Sequence, residues 1–356
     1  MQPTFAPLLF VERDGLSELT LYGSIQWVSD PKKDAAAWSF GGNPTVYGRS
    51  TLKPWMVRPF SRELLQELPE LKQRAIAVSS HDGTAEHVRV AQSLFAKTSS
   101  SEHLERQLNT PLSLPMNTQA ARLVEGNPTR WQHPCSGEHA AILLGLYKKG
   151  ISGENYQKRG HEYFSLFLVE MQKALGTHWS PQHVACDGCG LPTLAHSLSD
   201  LASLYWDLAQ GGRKSGPPET TWIWEAMTQH PEMVGGEART DTCAMRAGGG
   251  KVAAKEGADG LMGLSIADHP QFPQGLGIAI KLAHGFDVQW MPWMVRGVLG
   301  SLNPEWGTRM KVPPTPKRQT IRLALDLAPP GHQENLRQMQ ALFDQETRDE
   351  LQHARW

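Results

Sequence analysis

The sequence lacks any apolar segment long enough to cross a membrane. Its longest apolar stretches, residues 140–146 and 275–283, are far shorter than the ~20 residues that a membrane-spanning helix needs. Residues 1–14 contain neither the basic region nor the apolar run of a secretory signal. We therefore expect a cytoplasmic protein.

An excess of charge of either sign is also missing. The 356 residues include 35 Lys and Arg against 36 Asp and Glu. A protein that binds a polyanion needs a basic field, so we expect neither nucleic acid nor a membrane surface as a partner. A small or zwitterionic substrate fits this balance better.

Cysteine is scarce, with only Cys135, Cys186, Cys189 and Cys243 in the chain. Without a secretory signal, so few cysteines in a long chain indicate free thiols or metal ligands rather than disulfides.

Local patterns predict an α+β fold with a mixed, mainly antiparallel sheet that is flanked by helices and a helical lobe. Apolar runs bounded by glycine or proline predict strands at both ends of the chain, and helical periodicity lies between them. The predicted strands are 7–13, 19–28, 250–255, 260–267, 275–283 and 318–327. The predicted helices are the segment from 51, 61–76, 86–96, 138–149, 161–175, 199–210, 220–230, 288–302 and 335–353. We expect one catalytic domain of two lobes over residues 1–305. Residues 306–356 would add a strand and an amphipathic helix that packs on the domain or on a dimer partner.

Ser50 and Lys53 form the first motif with a possible chemical role. Residues three apart share one face of a helix, so the lysine can reach the serine hydroxyl. A serine needs a base to become a nucleophile, and a desolvated lysine can serve. The same spacing occurs at Ser29 and Lys32, so this motif alone is weak.

The second motif is an apolar segment, predicted as a strand, that runs into Ser80, His81 and Asp82. Functional side chains often lie on a loop that follows a rigid element. The alternative is that Ser80 or Asp82 caps the helix that follows.

The third motif combines Cys135, Glu138 and His139 with Cys186 and Cys189. Zinc accepts sulfur, nitrogen and oxygen ligands in tetrahedral sites, so these residues are candidate ligands. Unligated buried thiols are the alternative.

The order of the motifs is informative. Ser50-x-x-Lys53 comes first, Ser136-Gly137-Glu138 follows in a helical region, and Lys255-x-Gly257 lies on a late strand. Penicillin-binding proteins and class A β-lactamases have these parts in this order, with Ser-Asp-Asn in the middle. The chain lacks Ser-Asp-Asn, which points to a sister family of the same fold.

Several longer strings of the sequence resemble the Rhizobium-type L-asparaginase II family over about residues 8–283. They are residues 49–54 (RSTLKP), 80–83 (SHDG), 135–140 (CSGEHA), 187–192 (DGCGLP) and 255–260 (KEGADG). The resemblance implies a fold similar to serine β-lactamases and glutaminases, hydrolysis of L-asparagine to aspartate and ammonia, and a homodimer. A penicillin-binding-like esterase or peptidase is one alternative. A non-catalytic descendant that binds zinc or an amino acid is another.

The resemblance also implies two serine–lysine pairs. On the matching positions these are Ser50 with Lys53, and Ser80 with Lys255. We expect Ser50 to be the nucleophile and Lys53 its base, while the second pair relays protons and holds the amide.

Further matching positions are expected to bind the substrate. Arg49 would either stabilise the site or hold the α-carboxylate, Asp187 would hold the α-ammonium, and His139 would be a further contact. Alternatively, Asp187 only sets an Asp-Gly turn.

The family carries zinc on two cysteines and a lysine, which match Cys135, Cys189 and position 138. Here position 138 is Glu138. A carboxylate is a common zinc ligand, so the metal either persists with a changed charge, in a supporting role, or has been lost.

Overall fold

The computed structural model describes residues 4–32, 37–116, 121–122, 127–285, 287–315 and 319–353. In this part of the chain the main sheet has seven strands in the order β10-β1-β2-β9-β8-β7, with β3 paired to β2. Every pairing in it is antiparallel. The strands are β1 (Ala6–Arg13), β2 (Leu16–Val28), β3 (Ala37–Phe40), β7 (Val252–Gly257), β8 (Leu261–Ile266), β9 (Leu276–Leu282) and β10 (Gln319–Leu323).

A second, smaller sheet lies beside the candidate site. Its strands β4 (Thr45–Tyr47), β5 (His183–Cys186) and β6 (Pro192–Ser197) lie in the order β4-β6-β5. Thr45 pairs with Ser197, so this sheet joins segments that are far apart in sequence. No local pattern predicted its strands.

Helices cover the main sheet and form a lobe beside it. They are α1 (Lys53–Val57), α2 (Ser61–Glu67), α3 (Leu71–Ile76), α4 (Ala85–Ser93), α5 (Ser101–Gln107), α6 (Ser136–Lys148), α7 (Glu162–Leu175), α8 (Leu198–Ala209), α9 (Pro218–Gln229), α10 (Pro231–Val234), α11 (Thr240–Gly248), α12 (Met291–Leu302), α13 (Pro304–Arg309) and α14 (Gln333–His353). Helix α8 packs on β9, β8 and β2. A Cβ at Gly277 would lie 1.9 Å from the carbonyl oxygen of Ala202, so the absence of a side chain lets α8 approach β9.

The structure confirms the predicted α+β fold with an antiparallel sheet flanked by helices. The three late strands β7, β8 and β9 lie where glycine-bounded apolar runs predicted them. The helix predicted over 61–76 is two helices, because the chain leaves helical geometry between α2 and α3. Pro69 lies in that break, and the residue before a proline is disfavoured in the helical region.

The predicted strand before Ser80 is wrong. Residues 77–80 leave α3 as a turn, in which the Val78 and Ser79 amides donate to the carbonyls of Ala75 and Ile76. The helix that follows is capped by Thr84, which accepts from the His87 amide, and not by Ser80 or Asp82.

The C-terminal segment adds to the main sheet. Strand β10 pairs with β1, and α14 packs on β10 and α12 of the same chain. Arg296 on α12 pairs with Glu346 on α14 at 2.6 Å. The structure ends the predicted 318–327 strand at Leu323, where the short 3₁₀ turn Leu325–Leu327 follows. None of the described helices is long and apolar enough to span a membrane.

Candidate active site

Ser50 lies in a 3₁₀ helix, Arg49–Leu52, that leads directly into α1, and Lys53 is the first residue of α1. Ser50 is half-buried and Lys53 is buried. Strand β7 approaches this turn at Gly257, where an added Cβ would lie 2.8 Å from Thr51 Cγ2. The glycine therefore allows the Ser50 turn to pack on β7. Both residues are described, and no hydrogen bond joins Ser50 to Lys53.

Arg49, immediately before Ser50, has a left-handed backbone conformation with φ 50°. A residue other than glycine occupies this region only when its surroundings stabilise it. Here the Arg49 amide donates to Thr193 Oγ1 at 3.0 Å, and its Nε donates to Asp187 Oδ1 at 2.8 Å. Its Nη1 also pairs with Asp259. These contacts orient the backbone that carries Ser50.

Asp187 sits on the turn that joins β5 and β6. Its amide donates to the Leu191 carbonyl at 2.8 Å, and its Oδ1 accepts from the Gly188 amide at 2.6 Å. The residue therefore shapes the turn and also pairs with Arg49. The two interpretations of Asp187 made from the sequence are compatible.

Lys53 and Glu138 form a buried ion pair, with Nζ 3.2 Å from Oε2. Lys53 also donates to the Ser79 carbonyl. Burial alone lowers the pKa of Lys53, but Cys135, Glu138 and Cys189 together raise it above its ordinary value. Burial raises the pKa of Glu138 to about 8, although Lys53 opposes this shift. The surroundings of Lys53 therefore favour its ammonium form.

The two thiols predicted as metal ligands lie side by side. Cys135 precedes α6, Cys189 is on the β5–β6 turn, and both are buried. A hydrogen bond from Cys189 lowers the pKa of the Cys135 thiol, although burial opposes this, and the same contact raises the pKa of Cys189. Cys186 is exposed.

The third predicted metal ligand is Glu138. One carboxylate oxygen of Glu138 pairs with Lys53, and the other, Oε1, is buried without a hydrogen-bond partner. Within the described residues, no group of three or more His, Cys, Asp or Glu side chains is arranged to hold a metal ion. As arranged, these donors do not form a complete set, and zinc stays a prediction.

His139 lies on α6 next to Glu138 and is fully buried. Its Nδ1 is hydrogen-bonded to the Tyr156 hydroxyl, and its Nε2 has no partner among the described residues. Burial lowers the pKa of His139 to about 3, so the ring is neutral at physiological pH.

The second predicted pair is Ser80 and Lys255, and both residues are buried. The Ser80 amide donates to the Val234 carbonyl at 2.7 Å, and its buried hydroxyl has no hydrogen-bond partner among the described residues. Strand β7 runs on to Gly257, so Lys255 lies inside the strand and not at its end as predicted. No hydrogen bond joins Ser80 to Lys255 in this part of the chain.

Lys255 is in an environment unlike that of Lys53. Its Nζ donates to Asp241 Oδ2 at 3.2 Å and to the Glu256 carbonyl at 2.9 Å. Burial lowers the pKa of Lys255, and the charges of Lys53 and Arg239 lower it further, while Asp241 opposes this shift. Of the two buried lysines, Lys255 is the one whose surroundings lower its pKa, so it loses its proton more readily.

A network of charged residues around Lys255 was missed by sequence reasoning. Arg239 pairs with Glu256 at 2.9 Å and with Asp82 at 3.6 Å, while Asp241 pairs with Lys255. The sequence held one signal, because Lys255 ends the predicted strand 250–255, and a charge that is buried in a sheet needs a partner. It did not show which residues those partners are.

His81 takes no part in a serine–histidine pair with its neighbour. Its Nε2 lies 2.9 Å from Ser136 Oγ, and burial lowers the pKa of its imidazole. Its contact with α6 fixes the turn that carries Ser80.

The comparisons with known proteins agree with this architecture. A family model described as L-asparaginase II matches residues 9–312, which include every candidate site residue named above. No curated protein matches the chain. The matched segment covers well over half of the 356 residues. The chain therefore belongs to the L-asparaginase II family, that is, to the asparaginase-type amidohydrolases.

Proposed function

We propose that this protein hydrolyses the side-chain amide of L-asparagine to aspartate and ammonia, with Ser50 as the nucleophile. The observation that carries the proposal is the position of Ser50. Its half-buried side chain lies next to the Arg49–Asp187 pair, and two buried lysines with different surroundings lie on the elements around it.

Exposure favours Ser50 over Ser80 as the attacking group. The Ser80 hydroxyl is buried without a hydrogen-bond partner in the described structure, whereas Ser50 remains partly open to solvent. Ser50 also lies at the entrance to α1. A helix N-terminus stabilises developing negative charge, such as that of an attacking alkoxide.

The identity of the general base differs from the one expected from the sequence. Lys53 was expected to accept the Ser50 proton, but its contact with Glu138 and its raised pKa favour the ammonium form. Lys255 has a lowered pKa. We propose that substrate binding brings Ser50, Ser80 and Lys255 into hydrogen-bond contact, that the proton of Ser50 leaves through the Ser80 hydroxyl to Lys255, and that the same path returns it to the departing ammonia. Lys53 would stabilise negative charge at Ser50.

Substrate recognition is assigned to the charged side chains beside Ser50. A guanidinium binds a carboxylate through two parallel hydrogen bonds, so Arg49 is proposed to hold the α-carboxylate of asparagine. Asp187 would then bind the α-ammonium. His139 is fully buried, and we propose that it supports the pocket from behind through its neutral ring.

Zinc binding is proposed separately from the catalytic mechanism. Cys135, Cys189 and Glu138 are the residues that would hold it, and a bound zinc would act as a Lewis acid. The proton path above uses none of these groups. Resemblance to the family also supports a homodimer, which light scattering on the purified protein tests.

The test measures ammonia release from L-asparagine and L-glutamine, and the colour change of a chromogenic β-lactam. We expect release from asparagine and none in Ser50→Ala. Cleavage of the β-lactam alone would favour the penicillin-binding-like alternative. No turnover of any substrate by the folded protein would favour a non-catalytic binding protein.

A further inference from the structure

We propose that Asp241 is a positioning residue that holds Lys255 with its lone pair directed at the reacting groups. The inference rests on the proposed function and deepens it. The observation that carries it is a buried contact, in which Lys255 Nζ lies 3.2 Å from Asp241 Oδ2 and both side chains are completely buried.

The location of Asp241 suits this task. Among the strands that the structure describes, β7 is the outer strand of the main sheet, so one of its edges has no neighbour there. Asp241, in the first turn of α11, lies at that edge, and its Oδ2 also accepts from the Glu256 amide at 3.2 Å. Its Oδ1 accepts from the Thr242 amide at 2.9 Å. The carboxylate is therefore held rigidly by backbone donors from two elements.

The number of acceptors at Lys255 determines where its lone pair points. A neutral amine has two N–H groups and one lone pair. Asp241 Oδ2 and the Glu256 carbonyl accept one hydrogen bond each from Nζ. With both N–H groups engaged, the lone pair is fixed toward the remaining direction, where it accepts the serine proton. Lys255 becomes an ammonium in that step, and Asp241 stays a carboxylate throughout.

The charges around Lys255 determine in which direction its pKa should change when Asp241 is replaced. Asp241 and Glu256 favour its ammonium form, whereas Lys53 and Arg239 favour the neutral amine. Although burial opposes the shift, the ammonium form of Lys255, the guanidinium of Arg239 and the hydrogen bond from the Glu256 amide lower the pKa of Asp241, so Asp241 is a carboxylate.

Asp82, the remaining acid of this network, is beside Arg239 and has a pKa raised by burial. Asp241 is the acid whose carboxylate contacts Lys255 Nζ directly. Removing its charge takes away an interaction that favours the ammonium form of Lys255. The pKa of Lys255 should then fall.

The experiment uses the full-length enzyme and compares Asp241→Asn with Asp241→Glu. The titration midpoint of Lys255 is followed by NMR of ¹³Cε-labelled lysine, with the signal assigned through Lys255→Arg. In Asp241→Asn we expect a lower midpoint, a pH profile of kcat/KM whose acid limb moves the same way, and a kcat at least about 10-fold lower. Asp241→Glu should keep a midpoint near that of the wild type and recover part of kcat, which also tests the idea if Asp241→Asn does not fold.

Glu256→Gln is the matched control. It removes a buried carboxylate of the same network that pairs with Arg239 and not with Nζ. We expect a smaller shift of the Lys255 midpoint than in Asp241→Asn. An equal or larger shift would overturn the inference, as would an unchanged midpoint in folded Asp241→Asn. Absence of ammonia release by the wild type would instead refute the proposed function.

Discussion

Lys53 Nζ lies 3.2 Å from Glu138 Oε2, and the two side chains are 2 % and 1 % exposed. Position 138 was expected to supply a metal ligand, yet its carboxylate faces the lysine of the first serine–lysine pair. A buried charge is tolerated only with a partner. The pair therefore ties the start of α6 to the start of α1, the helix that follows the Ser50 turn.

Removing this partner should destabilise the protein. Glu138→Gln leaves the Lys53 ammonium buried beside a neutral amide, and breaking a buried pair in this way costs about 3–5 kcal/mol. Denaturant unfolding above about pH 8, where the Glu138 carboxyl is ionised, measures the loss. Glu86→Gln, which breaks exposed pairs to Lys72 and Arg89, is the control and should cost less than about 1 kcal/mol. Equal stability of Glu138→Gln and wild type would show that Lys53 is not held as an ammonium.

Arg49→Lys should weaken substrate binding. A lysine keeps the charge but cannot form two parallel hydrogen bonds with a carboxylate. Charge-assisted hydrogen bonds contribute about 1.5–3 kcal/mol, which corresponds to a rise in KM of roughly 10-fold or more. Arg246→Lys, at a surface pair with Glu237, should leave KM unchanged. Should Arg49→Lys lower kcat with an unaltered KM, Arg49 would act on the Ser50 turn and not on the α-carboxylate.

The pH profile should report a lysine base. An amine accepts a proton only when neutral, so kcat/KM should rise with pH, with a midpoint below the ordinary lysine value of about 10.4, because burial lowers the pKa of Lys255. Burial also lowers the pKa of His81 and His139, so these rings do not produce a rise in the alkaline range. Lys255→Arg should abolish the activity. A profile that is flat between about pH 5 and 9 would argue against any lysine base.

Zinc binding should compete with the Lys53–Glu138 pair. If Cys135, Cys189 and Glu138 hold the metal, Lys53→Met frees the carboxylate and should increase zinc affinity, because a buried charge then gains a new partner. Zinc content and chelator competition measure this without reference to turnover. The double variant Cys135→Ser/Cys189→Ser should lose the metal. Equal zinc content in that variant and in the wild type would place the metal elsewhere.

Local sequence signals were sufficient for the elements whose partners are close in the chain. Strands β7, β8 and β9 follow one another as antiparallel neighbours separated by short turns, so their glycines and apolar runs predicted them. Strand β4 pairs with β6 from residue 45 to residue 197. Strand β4 has only three residues, and its partner strand is far away in the sequence, so no local pattern predicts it. The second sheet was missed for that reason.

The residues of the candidate site also differ in whether the sequence alone could indicate them. Ser50, Lys53 and Lys255 became candidates through the order of their motifs, and Ser80 through the resemblance to the family. Asp241 was missed because its role depends on a buried contact from α11 to β7, and a single Asp after Arg-Thr has many ordinary explanations. The position of Glu138 was identified, but its partner was not, since only packing of α6 against α1 brings it to Lys53.

The most direct test of the account locates the acyl-enzyme. The protein is mixed with L-asparagine, quenched in acid after a short time and digested for peptide mass spectrometry, with Ser50→Ala and Ser80→Ala in parallel. We predict an aspartyl ester on the peptide that contains Ser50, absent in Ser50→Ala and still formed, more slowly, in Ser80→Ala. An ester on Ser80, or ammonia release by Ser50→Ala above about a hundredth of the wild-type rate, would contradict Ser50 as the nucleophile.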